Sequence, residues 1–166
     1  LRGGTNRFSL SEIEFIQGKA YQTLTDAISR NTFPNIKSDL SKFRLAHKIA
    51  AITNSLVAKE EKDEQVWLLI NEVFEKLNNL SPFGGSPEGR QLIYYYFFWN
   101  LVAVLGYKPE IRNNTIDGIK IDNDTIKILR IILNKEWPIL SRLRVTPVHL
   151  QLLRNVSVWY NKKIIS

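Results

Sequence analysis

The stretch Arg90–Tyr107, RQLIYYYFFWNLVAVLGY, decides the fold. From Leu92 to Leu105 only Asn100 is strongly polar, and six aromatic side chains run consecutively from Tyr94 to Trp99. A run of this length suits a helix and is too long for an ordinary strand. Leu92, Tyr95, Tyr96, Trp99, Leu101, Val102 and Leu105 leave no polar face, so the sequence predicts a helix buried on most sides. The run is shorter than the roughly 18 apolar residues that a membrane span needs. Gly106, with Pro109 shortly after, reads as a C-terminal stop. A packed helical domain would place this helix at its centre.

Upstream, the segments before and after Gln17-Gly18-Lys19 alternate apolar and polar residues: Phe8–Gln17, then Ala20–Ile28 with Tyr21, Thr23 and Thr25 on one side. Together they predict a β-hairpin. A lone hairpin is marginal in water, so these strands are expected to finish a larger sheet. After a break at Asn31–Pro34, residues 35–59 predict one long helix with Ile36, Leu40, Phe43, Leu45, Ile49, Ile52 and Leu56 inward. Lys37, Lys42, Arg44 and Lys48 lie off that stripe. The charged stretch 59–64, KEEKDE, connects to a second helix whose N-terminus suits Asp63 and Glu64. Val66, Ile70, Val73, Leu77 and Leu80 form its core face. Residues 81–89, SPFGGSPEG, read as a loop but not as a phosphate loop, because no Lys-Ser/Thr follows the glycines.

Downstream, Asp117-Gly118 between Ile116 and Ile119 predicts a tight hairpin. Asp117, Asp122 and Asp124 lack calcium-loop spacing, so turn and cap roles are expected of them. A short helix over 125–134 would turn Ile126, Leu129 and Leu133 inward, and another short segment begins at Trp137-Pro138. Thr146-Pro147 marks the start of a last helix running to about Lys163, with Val148, Leu152, Val156 and Trp159 inside.

The 166 residues suffice for one domain with a real core, or for one domain plus part of another. The chain has no Met and opens Leu-Arg-Gly-Gly, so a fragment lacking its start is expected. With no Cys, disulfides, thiolate metal sites and cysteine nucleophiles are excluded. No apolar signal core stands in the first thirty residues, and a cytoplasmic location is expected. The net charge of +7 is lopsided: residues 1–75 carry ten basic and ten acidic side chains, residues 76–166 thirteen and six. A one-sided basic surface favours a polyanion or an acidic partner, the plain alternative being a solvated basic face. His47 and His149 each stand alone on a predicted helix, and no catalytic constellation or metal-ligand set is seen. The chain therefore reads as a binding protein, not an enzyme, with no cofactor.

The order of these features resembles the RecO family of bacterial DNA repair proteins. FFWNLVAVLGYKPEI at 97–111 is similar to that family's helix ending in Leu-Gly-Tyr-x-Pro-x-Leu. RFSLSEIEFIQGKAYQTLTDA at 7–27 resembles the strand pair closing its OB domain, and PNIKSDLSKFRLAHKIAAI at 34–52 the helix that follows. Many members carry a four-cysteine zinc insertion after the Leu-Gly-Tyr-x-Pro motif. Here the matching IRNNTIDGIKIDND at 111–124 is short and has no Cys, so a zinc-less variant is expected.

The resemblance implies a mainly α fold: residues 1–33 as the last strands of an OB-fold, and residues 34–166 as a helical bundle domain with a short hairpin near 113–122. It also implies a recombination mediator that binds and anneals single- and double-stranded DNA. Such a mediator pairs with RecR, holds the acidic C-terminal tail of single-stranded DNA-binding protein, and assists RecA loading, in the nucleoid and not at a membrane. The candidate DNA-binding residues are Lys42, Arg44, Lys48, Arg142, Arg144, Arg154, Lys162 and Lys163. An acidic tail ending in Phe needs an apolar pocket beside a cation, for which the candidates are Arg90, Tyr94, Tyr95, Lys108 and Arg112. The alternative for the aromatic run is plain core packing, and the alternative function is a helical protein-binding adaptor without DNA activity.

Overall fold

The computed structural model describes residues 8–57, 63–80 and 87–166. The connection 59–62 and the loop residues 81–86 lie outside them. The described residues are mainly helical, with a two-stranded and a three-stranded antiparallel sheet.

Helix α4, Pro87–Val104, forms the centre. Every side chain from Leu92 to Val102 except Tyr94 is buried, and Trp99, Phe97 and Leu101 are fully so. Each large apolar side chain so buried contributes about 1.5–3 kcal/mol. The one amide in this run is satisfied: Asn100 Nδ2 donates to Tyr96 O at 2.8 Å and to Ile132 O at 3.1 Å. The helix starts earlier than the composition suggested, because Pro87 is tolerated in a first turn whose N–H groups lack helical partners. Its C-terminus closes on Gly106 at φ +89°. Gly106 N–H bonds to Ala103 O and Tyr107 N–H to Val102 O, the paired bonds of a Schellman ending.

Strands β1, Leu10–Gln17, and β2, Gln22–Asn31, form the expected hairpin. Gly18 is required at its turn, since a Cβ there would meet Tyr21 O at 2.8 Å. No third strand joins the pair among the described residues, and Ile13, Phe15, Ile16, Tyr21 and Ile28 are exposed. The hairpin is moored at one end, where Phe8 packs against Phe43, His47 and Phe74, and Asn31 Nδ2 donates to Glu75.

The single long helix expected over 35–59 is two: α1, Pro34–Ser38, and α2, Leu40–Leu56. Asp39 sits between them in extended geometry and caps α2, its carboxylate accepting from Ser41 N and Lys42 N. A short acidic side chain competes for backbone N–H groups and so splits a helix where apolar spacing alone would run through. Leu40, expected inside, is exposed. Asp63 caps α3, Glu64–Asn79, as expected; Val66, Leu69, Val73, Phe74 and Leu77 are its buried residues.

Beyond α4, β3 (Ile111–Arg112), β4 (Thr115–Ile116) and β5 (Ile119–Lys120) make a small meander. Asp117 and Gly118 both have positive φ, as the tight Asp-Gly turn demands. Asp122 caps α5, Asn123–Leu133, whose innermost residues include Ile132, with Leu133 half-buried. After α6, Trp137–Leu140, the Thr146-Pro147 start opens α7, Pro147–Ile165, with His149 Nδ1 completing a capping box.

The inner face of α7 is not the one expected. Leu150, Leu153, Val156, Ser157 and Tyr160 are buried, Val148 is exposed, and Leu152 and Trp159 are half-buried. Two polar anchors set this rotation. Trp99 Nε1 donates to Ser157 Oγ at 3.0 Å, and Tyr160 packs on the Trp99 ring and donates its hydroxyl to Tyr107 O at 2.8 Å. A buried indole N–H and a buried phenol each need a partner, which outweighs the hydrophobicity of an exposed Val.

Candidate functional site

Three helices leave a groove of about 570 Å³ between them. Spacings of three and four residues put one face of each helix along it. From α2 come Leu45, Lys48, Ala51, Ile52 and Ser55; from α4, Gln91, Tyr94, Tyr95 and Phe98; from α7, Arg154, Ser157, Val158, Asn161 and Lys162. Phe98 and Leu45 supply an apolar floor, while Lys48, Arg154 and Lys162 are exposed at the walls. These three are the only charged residues lining it among the described residues, and all are cations. Among the described residues none of the three has an ion-pair partner.

The aromatic wall stays neutral. Burial pushes the Tyr94 phenol up from its ordinary range. Burial does the same to Tyr95, helped by Tyr94 and opposed by the nearby Arg154 guanidinium. The two rings meet edge to face, 5.4 Å between centroids. The groove thus offers apolar contact, neutral hydroxyls and positive charge, a set suited to an anionic ligand with an aromatic or aliphatic part.

Elsewhere several of the predicted cations are spent on the fold. Lys42 is 2% exposed, contrary to its expected place on a DNA-facing surface. Its ammonium donates to Asn78 O at 3.1 Å and Leu80 O at 2.6 Å, satisfying carbonyls at the end of α3. Burial pushes its pKa down, with Asp39 opposing and Arg90 adding to the effect. Lys42 is therefore not a surface cation, because a helix C-terminus drew it inward.

Arg90, expected to hold an acidic tail, lies 3.7 Å from Asp39 Oδ2 and donates to Ser41 Oγ. Arg112 pairs with Glu110, and Lys108 is exposed beyond the far end of α4. From Arg90 to the end of α4 at Val104 the helix rises about 21 Å at 1.5 Å per residue, and Lys108 lies beyond that end. The structure therefore brings Tyr94 and Tyr95 to the groove but not Arg90, Lys108 or Arg112.

Of the expected DNA-binding residues, Lys48, Arg154 and Lys162 line the groove. Arg44 is exposed on α2 outside it, and Arg142 and Arg144 are exposed between α6 and α7. Lys163 pairs with Asp117 and lies over the Trp159 and Tyr160 rings. Burial pushes the Asp117 carboxyl up, but the Lys163 bond and the Glu110 N–H outweigh it, and its pKa lies below the usual carboxylate range. Ile52, Ser55, Phe98 and Asn161 also line the groove, and none of them stands among the candidate residues above. The spacing Lys48, Ala51, Ile52, Ser55 was the available signal, but choosing that face required knowing where α7 packs.

No family model matches the chain. The DNA repair protein RecO of Dehalococcoides mccartyi is 25% identical over 173 aligned residues, covering 87% of this chain and 66% of the relative. The chain is RecO-like. RecO of Nostoc punctiforme is 26% identical over 124 residues, covering 75% of this chain and 41% of that protein. A third RecO, from Gloeothece citriformis, is 22% identical over 112 residues. The chain thus spans about two thirds of the Dehalococcoides relative and about two fifths of the Nostoc one.

Proposed function

We propose that this chain is the helical part of a RecO-type recombination mediator, and that the groove between α2, α4 and α7 receives the acidic, Phe-ended tail of single-stranded DNA-binding protein. The observation that carries this reading is the composition of the groove: an aromatic and aliphatic floor with Lys48, Arg154 and Lys162 around it and no acid. An acidic tail with a terminal Phe needs both features at once. The remaining outward cations, Arg44, Arg142 and Arg144, would extend binding to single- and double-stranded DNA, sequence-independently. On this reading the β1–β2 hairpin closes an OB-fold, which accounts for its exposed Ile13, Phe15, Ile16 and Ile28. Pairing with RecR, strand annealing and assistance to RecA loading complete the proposed role, in the nucleoid of the cytoplasm, without catalysis or cofactor.

The test is a titration with a labelled copy of that acidic tail and with the same peptide lacking its final Phe. Binding that is lost with the Phe, and weakened by Arg154→Glu, supports the reading. Equal weak binding of both peptides overturns the groove assignment. A parallel titration with single-stranded DNA, with affinity falling steeply as salt rises, separates the mediator from a purely protein-binding adaptor.

A further inference from the structure

The groove continues past Arg154. A second hollow of about 220 Å³ extends toward the first turns of α4 and α7, and Gln91, Tyr95 and Arg154 belong to both. Its wall adds Glu88, and the sign of the charge changes along the way. Lys48 and Lys162 line only the first hollow, Arg154 lines both, and Glu88 lines only the second. From Pro147 to Lys162, α7 rises about 22 Å at 1.5 Å per residue. An extended chain covers that distance in about six or seven residues.

We propose that the joined groove holds an extended segment of a partner protein in one orientation, with its acidic residues at Lys48 and Lys162, an apolar residue over Tyr94 and Tyr95, and a cationic residue against Glu88. The inference rests on reading the groove as a peptide site and adds to it a direction and a charge pattern. A nucleic-acid strand carries an anion at every repeat and would set a phosphate beside Glu88. A peptide can change charge along its length and match the groove at both ends. Because the second hollow is open beyond the junction, the bound segment need not end at its apolar residue.

Two amidated peptides test this, each with three aspartates, a leucine and a phenylalanine, one followed by two lysines and the other by two glutamates. Their affinities are measured by fluorescence anisotropy on the whole chain and on its Glu88 variants. In Glu88→Lys the ratio of the two affinities shifts toward the glutamate peptide by about 1.5- to fivefold, the range of exposed charge pairs. In Glu88→Gln, which keeps the size of the side chain, it shifts the same way by less. Glu88 lies in the first turn of α4, where a carboxylate favours the helix dipole, so far-UV circular dichroism is recorded for both variants. A ratio unchanged in a folded Gln variant overturns the orientation while leaving the groove as a peptide site. Failure of both peptides to bind, or binding indifferent to Arg154→Glu, overturns the peptide site itself. Greater strengthening of a single-stranded oligonucleotide than of the glutamate peptide by Glu88→Lys would identify the occupant as nucleic acid and also overturn the proposal.

Discussion

Two regions of α2 use the same side chain to opposite ends. At its N-terminal end, Lys42 is buried against the last carbonyls of α3, and Arg90 leans on Asp39 and Ser41. Two turns on, Lys48 faces the groove with Arg154 and Lys162, and among the described residues it has no acid to meet. The first region spends its cations on helix ends and caps, and the second presents them outward. Net charge therefore overstates the surface open to an anionic partner. The useful count is of cations left over once carbonyls and carboxylates inside the fold have taken theirs.

The largest effect should come from removing the side chain that anchors α7. Trp99 is fully buried under the groove and holds Ser157 of α7 through its indole N–H. Trp99→Ala is expected to cost about 3–5 kcal/mol in chemical denaturation, from lost burial and the cavity left behind. Tail binding should be lost with it, since α7 supplies two of the three groove cations. Lys42→Ala comes next. It leaves Asn78 O and Leu80 O without their donor and is expected to cost about 1–3 kcal/mol. Lys48→Ala, on the same helix, should stay within about 0.5 kcal/mol of the parent. Equal stability of the two lysine variants would erase the distinction between corner and groove.

How far this was legible in the sequence differs between the same regions. The body of the central helix, its Gly106 ending, the β1–β2 hairpin, the Asp-Gly turn and the caps at Asp63, Asp122 and Thr146 follow from local chemistry, and they are where the spacing puts them; the start of the central helix at Pro87 and the third strand of the meander are not. Lys42 did not follow. Nothing in KSDLSKF says that the end of a helix some forty residues later will draw that ammonium inward. The face of α7 was missed for a related reason. Val148 outranks Ser157 on any apolar scale, but only Ser157 can accept the bond from Trp99. The groove is half legible: the aromatic run points to Tyr94 and Tyr95, the basic excess to Arg154 and Lys162, and the place of Lys48 off the apolar stripe of its helix to that cation. Only packing shows that these two sets meet.

A sharper contrast tests the groove alone. Arg154→Glu is expected to weaken the acidic, Phe-ended peptide by about tenfold, equivalent to about 1.4 kcal/mol, with unfolding unchanged within about 0.5 kcal/mol. Arg90→Glu removes an equal charge from the corner, where Asp39 and Ser41 are its neighbours. It should affect stability more than affinity. Equal losses of affinity for the two variants would mean that the peptide responds to total charge and not to the groove.

The smallest expected effect probes whether the end of α4 belongs to either region. Gly106 has φ +89°, and a Cβ built there meets nothing within 4 Å. Gly106→Ala therefore brings no clash. Its cost is that of holding an L residue in the left-handed region, about 1 kcal/mol. The turn positions Tyr107, whose carbonyl receives the Tyr160 hydroxyl and so ties α7 to the end of α4. That tie lies on the buried side of α7, while Arg154 and Lys162 point to the groove. Denaturation should shift by about 1 kcal/mol while peptide affinity holds within a factor of about two. If affinity falls in step with stability, the tilt of α7 is set at this turn, and the groove depends on the same buried contacts as the rest of the fold.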